Sequence, residues 1–259
     1  PPMPSGWYVE SFSSLVQNLP PVSEEDLTMA VSLLATEAKA AAGVVDPALP
    51  VSAYDTFILE RLPKGIKTGL FTHALFEEID FTNSEGWEKA MDDALRKYPR
   101  LVEEEDKEHL QRLMQHVLNT ELPDGVVLNR VKQEDKITEM AFFYEQNERS
   151  LRTGFVDLFF RYNGKFYILD WKSNHLGYAV DNYNTLAVAR AVAANHYTLQ
   201  YSIYTRAALR YLQQKIQDFD VERDFGGVFY LFIRGMRKGN TTGIYYKNAA
   251  QVLEGKEDV

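Results

Sequence analysis

The fold of this chain is most constrained by one short stretch, TGFVDLFFRYNGKFYILDWK, residues 153–172. It contains two runs rich in aromatic and β-branched residues, which is typical of strands. Asn163 and Gly164 separate the two runs, and an Asn-Gly pair in this position is typical of a two-residue β-hairpin. The stretch is therefore predicted to form a tight antiparallel hairpin.

A two-residue turn also determines the register of the two strands, because Tyr162 must then face Lys165. Counting back along both strands places Asp157 opposite Asp170, with Cβ atoms roughly 4.5–5.5 Å apart. Lys172 follows Asp170 on the same face, since alternate residues of a strand point to the same side. Three charged side chains are thus predicted to meet on an apolar hairpin.

Two carboxylates that face each other on an apolar sheet repel, and burial increases the cost. Lys172 can offset one of the charges, whereas a divalent metal bound by both carboxylates compensates more fully and suits hard oxygen ligands. The alternative is that Asp157 and Asp170 lie at a wet edge of the sheet and have no chemical role. The residues alone leave both interpretations open.

The rest of the chain alternates between helical and strand patterns. Strands are predicted over 137–144, 153–162, 165–172 and 226–235. Helices are predicted over 23–43 with a capping box at Ser23, 69–79 with Thr68 as the cap, 84–97, 102–119, and 185–216 with a break near Asn195. The Pro- and Gly-rich segment 44–69 is predicted to be loop. Helices, then strands, then helix and strand indicate an α/β or α+β domain around a modest sheet.

Composition excludes several classes of protein. The net charge of −9 argues against a protein that binds nucleic acid through bulk electrostatics. The absence of cysteine excludes disulfides and thiolate metal sites and is compatible with a reducing cytoplasm. No apolar stretch is long enough to span a membrane, and no phosphate-binding loop indicates an ATPase. The first residues carry neither an initiator Met nor a signal-peptide pattern, so we expect a domain of a longer polypeptide.

Several spaced motifs resemble one family. They are WYVESFSSL near the start, the Gly-x-x-x-His pattern in KTGLFTHALFEEIDF, TEMAFFY, the hairpin itself, the Gln-x-x-x-Tyr pattern in HYTLQYSIYTRAALRYL, and FGGVFYLFIRG. Together they resemble the C-terminal nuclease domain of RecB, the beta subunit of exodeoxyribonuclease V, which belongs to the PD-(D/E)xK superfamily. The resemblance implies an α/β, restriction-endonuclease-like fold, with a central mixed sheet flanked by helices. It also implies one domain over 1–259, with an entry segment 1–65 and a catalytic core 66–259, cut from a helicase-nuclease chain.

The resemblance assigns roles residue by residue. The implied metal ligands are His73, Asp157, Asp170 and the backbone carbonyl of Trp171, and the implied catalytic residues are Lys172, Asp170 and Asp157. Residues implied to act beside the site are Glu139, Gln200 and Tyr204.

Taken without the resemblance, these residue types carry less information. A lone histidine on an apolar helix is more often a core residue than a ligand. Gln200 and Tyr204 are neighbours on a helix surface, and Glu139 fits an edge strand. Glu77 is expected to be solvated, and His175 and His196 are assigned no role.

The resemblance implies a Mg²⁺-dependent deoxyribonuclease whose site also accepts Mn²⁺ or Ca²⁺. Its substrate is expected to be single-stranded and helicase-unwound DNA during recombinational repair of double-strand breaks. Expected partners are DNA, RecC-like and RecD-like subunits and a helicase portion of the same chain, in the cytoplasm and without a membrane.

Three alternatives remain. The first is a non-catalytic docking module without metal affinity. The second is a metal-dependent hydrolase of small phosphate esters, and the third is a nuclease of an AddAB-like system. The absence of cysteines argues against the last, because many such nucleases carry an iron–sulfur cluster.

Overall fold

Helices flank one mixed β-sheet in the computed structural model, which describes residues 8–11, 19, 22–23, 52–147 and 150–254. The strands are β1 Tyr8–Ser11, β2 Lys136–Asn147, β3 Ser150–Tyr162, β4 Lys165–Lys172, β5 Phe225–Phe232 and β6 Ile244–Asn248. The helices are α1 Ala53–Thr56, α2 Ile66–Glu78, α3 Trp87–Lys97, α4 Lys107–Asn119, α5 Thr185–Ala194, α6 Tyr197–Lys215, α7 Val221–Asp224 and α8 Ala249–Glu254. This architecture confirms the predicted α/β class and is consistent with the restriction-endonuclease-like fold. The helix predicted over 23–43 lies, except for Ser23, outside the described residues.

The sheet mixes antiparallel and parallel pairs around β3 and β4. β3 pairs antiparallel with β2 and with β4, and its first residues pair in parallel with β1. β4 pairs in parallel with β5, and β5 pairs antiparallel with β6. Ile168 and Leu169 in the middle of β4 are fully buried, so the strand that carries Asp170 and Lys172 runs through the core.

The predicted hairpin forms with the predicted register. Tyr162 pairs with Lys165, and Phe159 pairs with Ile168. Asn163 has φ 47° and Gly164 has φ 85°, and positive φ at both positions is what a type I′ hairpin turn requires.

Helices cover the strand β4 from both sides. Trp171 and Lys172 are consecutive in the strand and therefore point to opposite faces. The ring of Phe76 in α2 stacks on Trp171 at 4.4 Å, and Gln200 in α6 accepts a hydrogen bond from Lys172. The end of β4 is thus enclosed between α2 and α6.

The prediction of a continuous loop over 44–69 is wrong from Ala53 onward, and residues 44–51 lie outside the described part of the chain. α1 is followed directly by a π-helix, Phe57–Arg61, in which Phe57, Ile58 and Leu59 are buried. Pro and Gly residues on both sides obscured this short apolar segment, which is stabilised by burial against the core.

Thr68 does not cap α2, which begins at Ile66 after Gly65. The Thr68 hydroxyl instead donates to the carbonyl of Pro63, inside the first turn of the helix.

Other element boundaries also differ from the prediction. α3 begins at Trp87, α4 begins at Lys107 after a 3-10 turn, and β5 ends at Phe232 before another 3-10 turn. The strands β1 and β6 were not predicted. The break near Asn195 is confirmed, because α5 ends at Ala194 and α6 begins at Tyr197. Among the described helices, none has the length and hydropathy needed to cross a bilayer.

Candidate metal centre

Two strands and a helix bring three potential metal ligands together. Asp157 comes from β3, Asp170 from β4 and His73 from α2. One ligand atom of each lies within 4.8 Å of the others. The predicted meeting of the two carboxylates is therefore present, and a histidine from a distant helix joins them.

Asp157 is placed by a local separation of the two hairpin strands. The pairing of β3 with β4 ends at Leu158 and Leu169, one position before the two aspartates. Beyond that point the Asp157 carboxylate accepts a hydrogen bond of 2.8 Å from the backbone N–H of Trp171. A side chain therefore takes the place of a backbone acceptor, and the space between the strands holds a carboxylate.

His73 completes the cluster with both ring nitrogens. Its Nδ1 lies 3.3 Å from Asp157 Oδ1, and its Nε2 lies 3.1 Å from the carbonyl oxygen of Trp171. Neighbouring ligands in an octahedral shell with bonds of about 2.0–2.1 Å are themselves about 3 Å apart. An imidazole gives only one nitrogen to a given ion, so only one of these two contacts joins neighbouring ligands of that ion. With the carboxylates of Asp157 and Asp170, the set of ligand atoms suits a divalent cation that prefers oxygen ligands.

The charges in the site depend strongly on one another. Burial and the neighbouring Asp157 raise the pKa of Asp170 to about 7. Burial opposes a charge on His73, but the adjacent Asp157 outweighs it and raises the pKa of the imidazole to about 9. For Asp157 burial is likewise outweighed, and His73 lowers the pKa of the carboxyl. Both buried carboxylates thus require a positive neighbour to stay ionised.

Lys172 is held in a fixed position beside the carboxylates. Its Nζ lies 2.6 Å from Asp170 Oδ2 and 3.2 Å from Gln200 Oε1. The ammonium also lies over the rings of Tyr197 at 3.9 Å and Tyr230 at 4.8 Å. Burial disfavours the charged form, but Asp170 overcomes this and raises the pKa of Lys172.

Gln200 connects the lysine to two tyrosines. Its Oε1 accepts a hydrogen bond of 2.9 Å from the hydroxyl of Tyr230, in addition to the bond from Lys172. Its Nε2 donates to the hydroxyl of Tyr204 at 2.9 Å. Gln200 and Tyr204 therefore lie in the site, where the resemblance placed them.

Comparison with known proteins finds relatives that share one name. The RecBCD enzyme subunit RecB of Haemophilus influenzae is 35% identical over 71% of this chain, and that of Escherichia coli K12 is 32% identical over 92% of it. A RecB of Buchnera aphidicola is 31% identical over 73% of the chain. The chain is a relative of RecB. It spans 17%, 22% and 18% of the lengths of these three relatives, and no protein-family model matches it.

Tyr197 and Tyr230 are site residues of this RecB relative that sequence reasoning missed. Tyr230 lies in β5, in register with Asp170 across the parallel pair of strands. The sequence carries no turn signal between β4 and β5 comparable to Asn163–Gly164, so this register was not readable from it. For Tyr197, the available signal was its place three residues before Gln200, on the same helix face.

Glu139 lies close to the cluster without being one of its three ligands. The residue interrupts the pairing of β2 with β3, has φ 49°, and occupies the position that faces Asp157. Burial, Asp157 and Glu77 raise the pKa of its carboxyl, so Glu139 lies in the negative potential of its neighbours. Glu77 is exposed, as expected.

His175 and His196 belong to the local structure around them and not to the ligand cluster. The Nε2 of His175 lies 2.8 Å from the carbonyl oxygen of Leu59, and His196 adopts a left-handed conformation before α6.

Proposed function

We propose that this RecB-related chain is a metal-dependent deoxyribonuclease domain of the exodeoxyribonuclease V type. It hydrolyses phosphodiester bonds of single-stranded and helicase-unwound DNA during recombinational repair of double-strand breaks. The observation that carries the proposal is the convergence of His73, Asp157 and Asp170 within 4.8 Å, beside the buried Lys172. The name of the relatives, RecBCD enzyme subunit RecB, supports the same activity.

The chain's own residues would hold the cation. His73, Asp157, Asp170 and the carbonyl oxygen of Trp171 provide the ligands, and Mg²⁺ is the proposed ion, with Mn²⁺ or Ca²⁺ as substitutes. When bound, a divalent ion polarises a phosphoryl oxygen and lowers the pKa of a water molecule toward neutrality. Two carboxylates also offset the charge of such an ion, which keeps the buried site close to neutral.

Lys172 contributes a positive charge at a fixed place. Asp170 and Gln200 orient its ammonium, and the raised pKa keeps that ammonium protonated near neutral pH. A protonated lysine donates hydrogen bonds, and we assign Lys172 to stabilising the negative charge that develops on the phosphate. Gln200 is assigned to orient Lys172, and Tyr204 to orient Gln200.

The acidic chain is proposed to act on DNA that other parts of a complex deliver. A net charge of −9 disfavours tight binding of a polyanion by bulk electrostatics. Tethering to a helicase raises the local concentration of single strands and removes the need for tight binding. We therefore propose RecC-like and RecD-like partners, a helicase portion of the same parent chain, and a cytoplasmic location.

The division into an entry segment 1–65 and a core 66–259 also remains a prediction. Side chains of α1 and the π-helix, such as Tyr54 and Phe57, are buried in the same hydrophobic core as Phe71 of α2.

The test is a nuclease assay on linear single-stranded DNA labelled at the 5′ or the 3′ end. We expect cleavage in Mg²⁺, none in EDTA, and none in Mg²⁺ with the folded Asp170→Ala variant. Cleavage by Asp170→Ala at the rate of the unsubstituted chain would contradict the assignment.

Two further measurements separate the alternatives. Calorimetry with Mn²⁺ distinguishes a nuclease from a docking module, for which no metal binding is expected. Turnover of a nucleotide monoester without cleavage of the oligonucleotide would indicate a small-molecule phosphoesterase.

A further inference from the structure

Arg234 is a completely buried arginine outside the ligand cluster. It follows β5 in a 3-10 turn, Ile233–Gly235, and its relative exposure is 0%. Its hydrogen bonds within the described part of the chain go to backbone carbonyl oxygens and to no carboxylate. A buried charge held only by carbonyls is costly and is retained where several bonds compensate.

The guanidinium joins the residue that follows β4 to the segment that leads into α2. Its Nε donates to the carbonyl of Ser173, the residue after Lys172, at 2.9 Å. Its Nη2 donates to the carbonyl of Pro63 at 2.5 Å, three residues before α2 begins. The two nitrogens belong to one rigid plane, so the two backbone segments are held at a fixed separation.

The connection continues into the helix that carries His73. The carbonyl of Pro63 also accepts a hydrogen bond of 2.8 Å from the buried hydroxyl of Thr68, in the first turns of α2. One turn further along α2 lies His73, whose Nε2 is 3.1 Å from the carbonyl oxygen of Trp171. The distance between α2 and β4 therefore sets how closely His73 approaches the ligands on the strand.

The π-helix and the residue that follows it supply the remaining acceptors. Arg234 Nη1 donates to the carbonyls of Ile58 at 2.7 Å and Leu62 at 3.0 Å. His175, from the loop after β4, contacts the carbonyl of Leu59 at 2.8 Å. π-helical turns are rare in proteins, but those that occur are often found at functional sites. Here the turn offers carbonyl oxygens to two side chains from the segments that follow β4 and β5.

We propose that Arg234 is a positioning residue of the metal centre, which holds α2 and β4 at the separation that brings His73 to Asp157 and Trp171. The proposal rests on the proposed function, since it concerns the same cation. Lysine is a poor substitute, because its compact ammonium cannot reach acceptors on both segments in the fixed fork geometry of a guanidinium.

The test compares Mn²⁺ binding by calorimetry in the 259-residue chain and in the Arg234→Met variant, at a temperature where circular dichroism shows both folded. We expect Arg234→Met to weaken Mn²⁺ binding by about 10-fold. This is the lower end of the effect of losing a group hydrogen-bonded to a metal ligand, because Arg234 acts on the ligands only through the backbone. Arg234→Lys is expected to restore only part of that affinity.

Arg237→Met is the matched control. Arg237 lies in the same segment and is partly buried. Its guanidinium pairs with Asp55 at 2.7 Å and donates to the backbone carbonyls of Arg234 and Met236, but to neither Ser173 nor Pro63. Its loss is expected to lower stability while leaving Mn²⁺ affinity nearly unchanged, because none of its hydrogen bonds reaches Ser173, Pro63 or a ligand of the centre.

The outcomes separate the two proposals. Unchanged Mn²⁺ affinity in Arg234→Met overturns the positioning role, and so does an equal loss in Arg237→Met, since the loss would then follow stability alone. If Arg234→Met does not fold, Thr68→Val is tested instead, because it removes the hydrogen bond from α2 to the carbonyl of Pro63 with little change of shape. Unchanged Mn²⁺ affinity in Thr68→Val overturns the positioning role as well. Failure of the unsubstituted chain to bind Mn²⁺ overturns the proposed function and with it this inference.

Discussion

The two halves of the candidate metal centre differ in how far along the chain their residues come from. The carboxylate half lies in one hairpin, where Asp157 bonds to Trp171 only 14 positions away. The other half, called the helical half because His73 lies on α2, depends on pairs of residues that are far apart in sequence. His73 and Trp171 are 98 positions apart, and Arg234 and Pro63 are 171 positions apart.

This difference affects both energetics and readability. Closing a short hairpin costs little chain entropy, and its turn residues encode its geometry directly. The distant pairs form only when α2, α6 and β5 pack on the sheet, so their geometry depends on the whole core. Apart from the ligands Asp157 and Asp170, we therefore expect substitutions in the hairpin half to act on chemistry or on local stability. Substitutions in the helical half are expected to act through metal affinity and orientation.

The largest effect is expected from Lys172→Met, which keeps the bulk of the side chain and removes its charge. We expect the rate of DNA cleavage to fall by at least about 100-fold, because a buried cation aimed at developing charge is lost. Mn²⁺ affinity should remain measurable, since the ligand atoms stay. The check is a single-turnover cleavage assay with saturating metal. As a control, Lys89→Met replaces an exposed lysine of α3 and should cleave normally. A Lys172→Met rate equal to that of the unsubstituted chain would contradict the assignment.

A large effect on metal binding is expected from His73→Ala, the substitution that removes the helical half's ligand. The midpoint of thermal unfolding should rise with Mn²⁺ in the unsubstituted chain, because a ligand that binds only the folded state stabilises it. In His73→Ala this rise should shrink to a small fraction, and EDTA should abolish it in both.

Glu77→Gln provides the comparison one turn along the same helix, because Glu77 is exposed. It should retain the full rise in unfolding temperature. If both variants lost the rise equally, His73 would have no special place in the centre.

A smaller effect is expected from Tyr230→Phe, which removes the hydroxyl that donates to Gln200. One lost hydrogen bond is worth about 1 kcal/mol, so we expect cleavage to slow by about fivefold with little change in Mn²⁺ affinity. Steady-state kinetics measure the change. The control is Tyr211→Phe, which alters an exposed tyrosine of α6. Equal rates in the two variants would remove Tyr230 from the site.

The smallest effect on activity is expected from Gly164→Ala, at the tip of the hairpin. With φ at 85° an alanine is strained, and the free energy of unfolding should fall by about 1–2 kcal/mol. Cleavage and Mn²⁺ affinity should stay unchanged at temperatures where the variant is folded. Denaturant titration measures the loss, and Asn163→Gly, at a position with φ 47°, should be nearly neutral. A loss of metal affinity in Gly164→Ala would mean that the two halves are not separable.

Some parts of the molecule were predictable because their signals are local. The Asn-Gly turn, the pairing of Phe159 with Ile168, and the break near Asn195 were read from neighbouring residues and are confirmed. The π-helix was missed because its short apolar segment lies among Pro and Gly residues. Tyr230 and Arg234 were missed as contributors because parallel pairing and burial against distant segments leave no local pattern.

By itself the sequence determined a tight hairpin with two aspartates and a lysine on one face, because an Asn-Gly turn and a two-residue period dictate a register. Only the tertiary structure decided that the strands part at Asp157, that His73 faces Trp171, and that Arg234 spans from Ser173 to Pro63. The physical reason is that these contacts are made by burying whole helices against the sheet, and burial is a property of the assembled core and not of neighbouring residues.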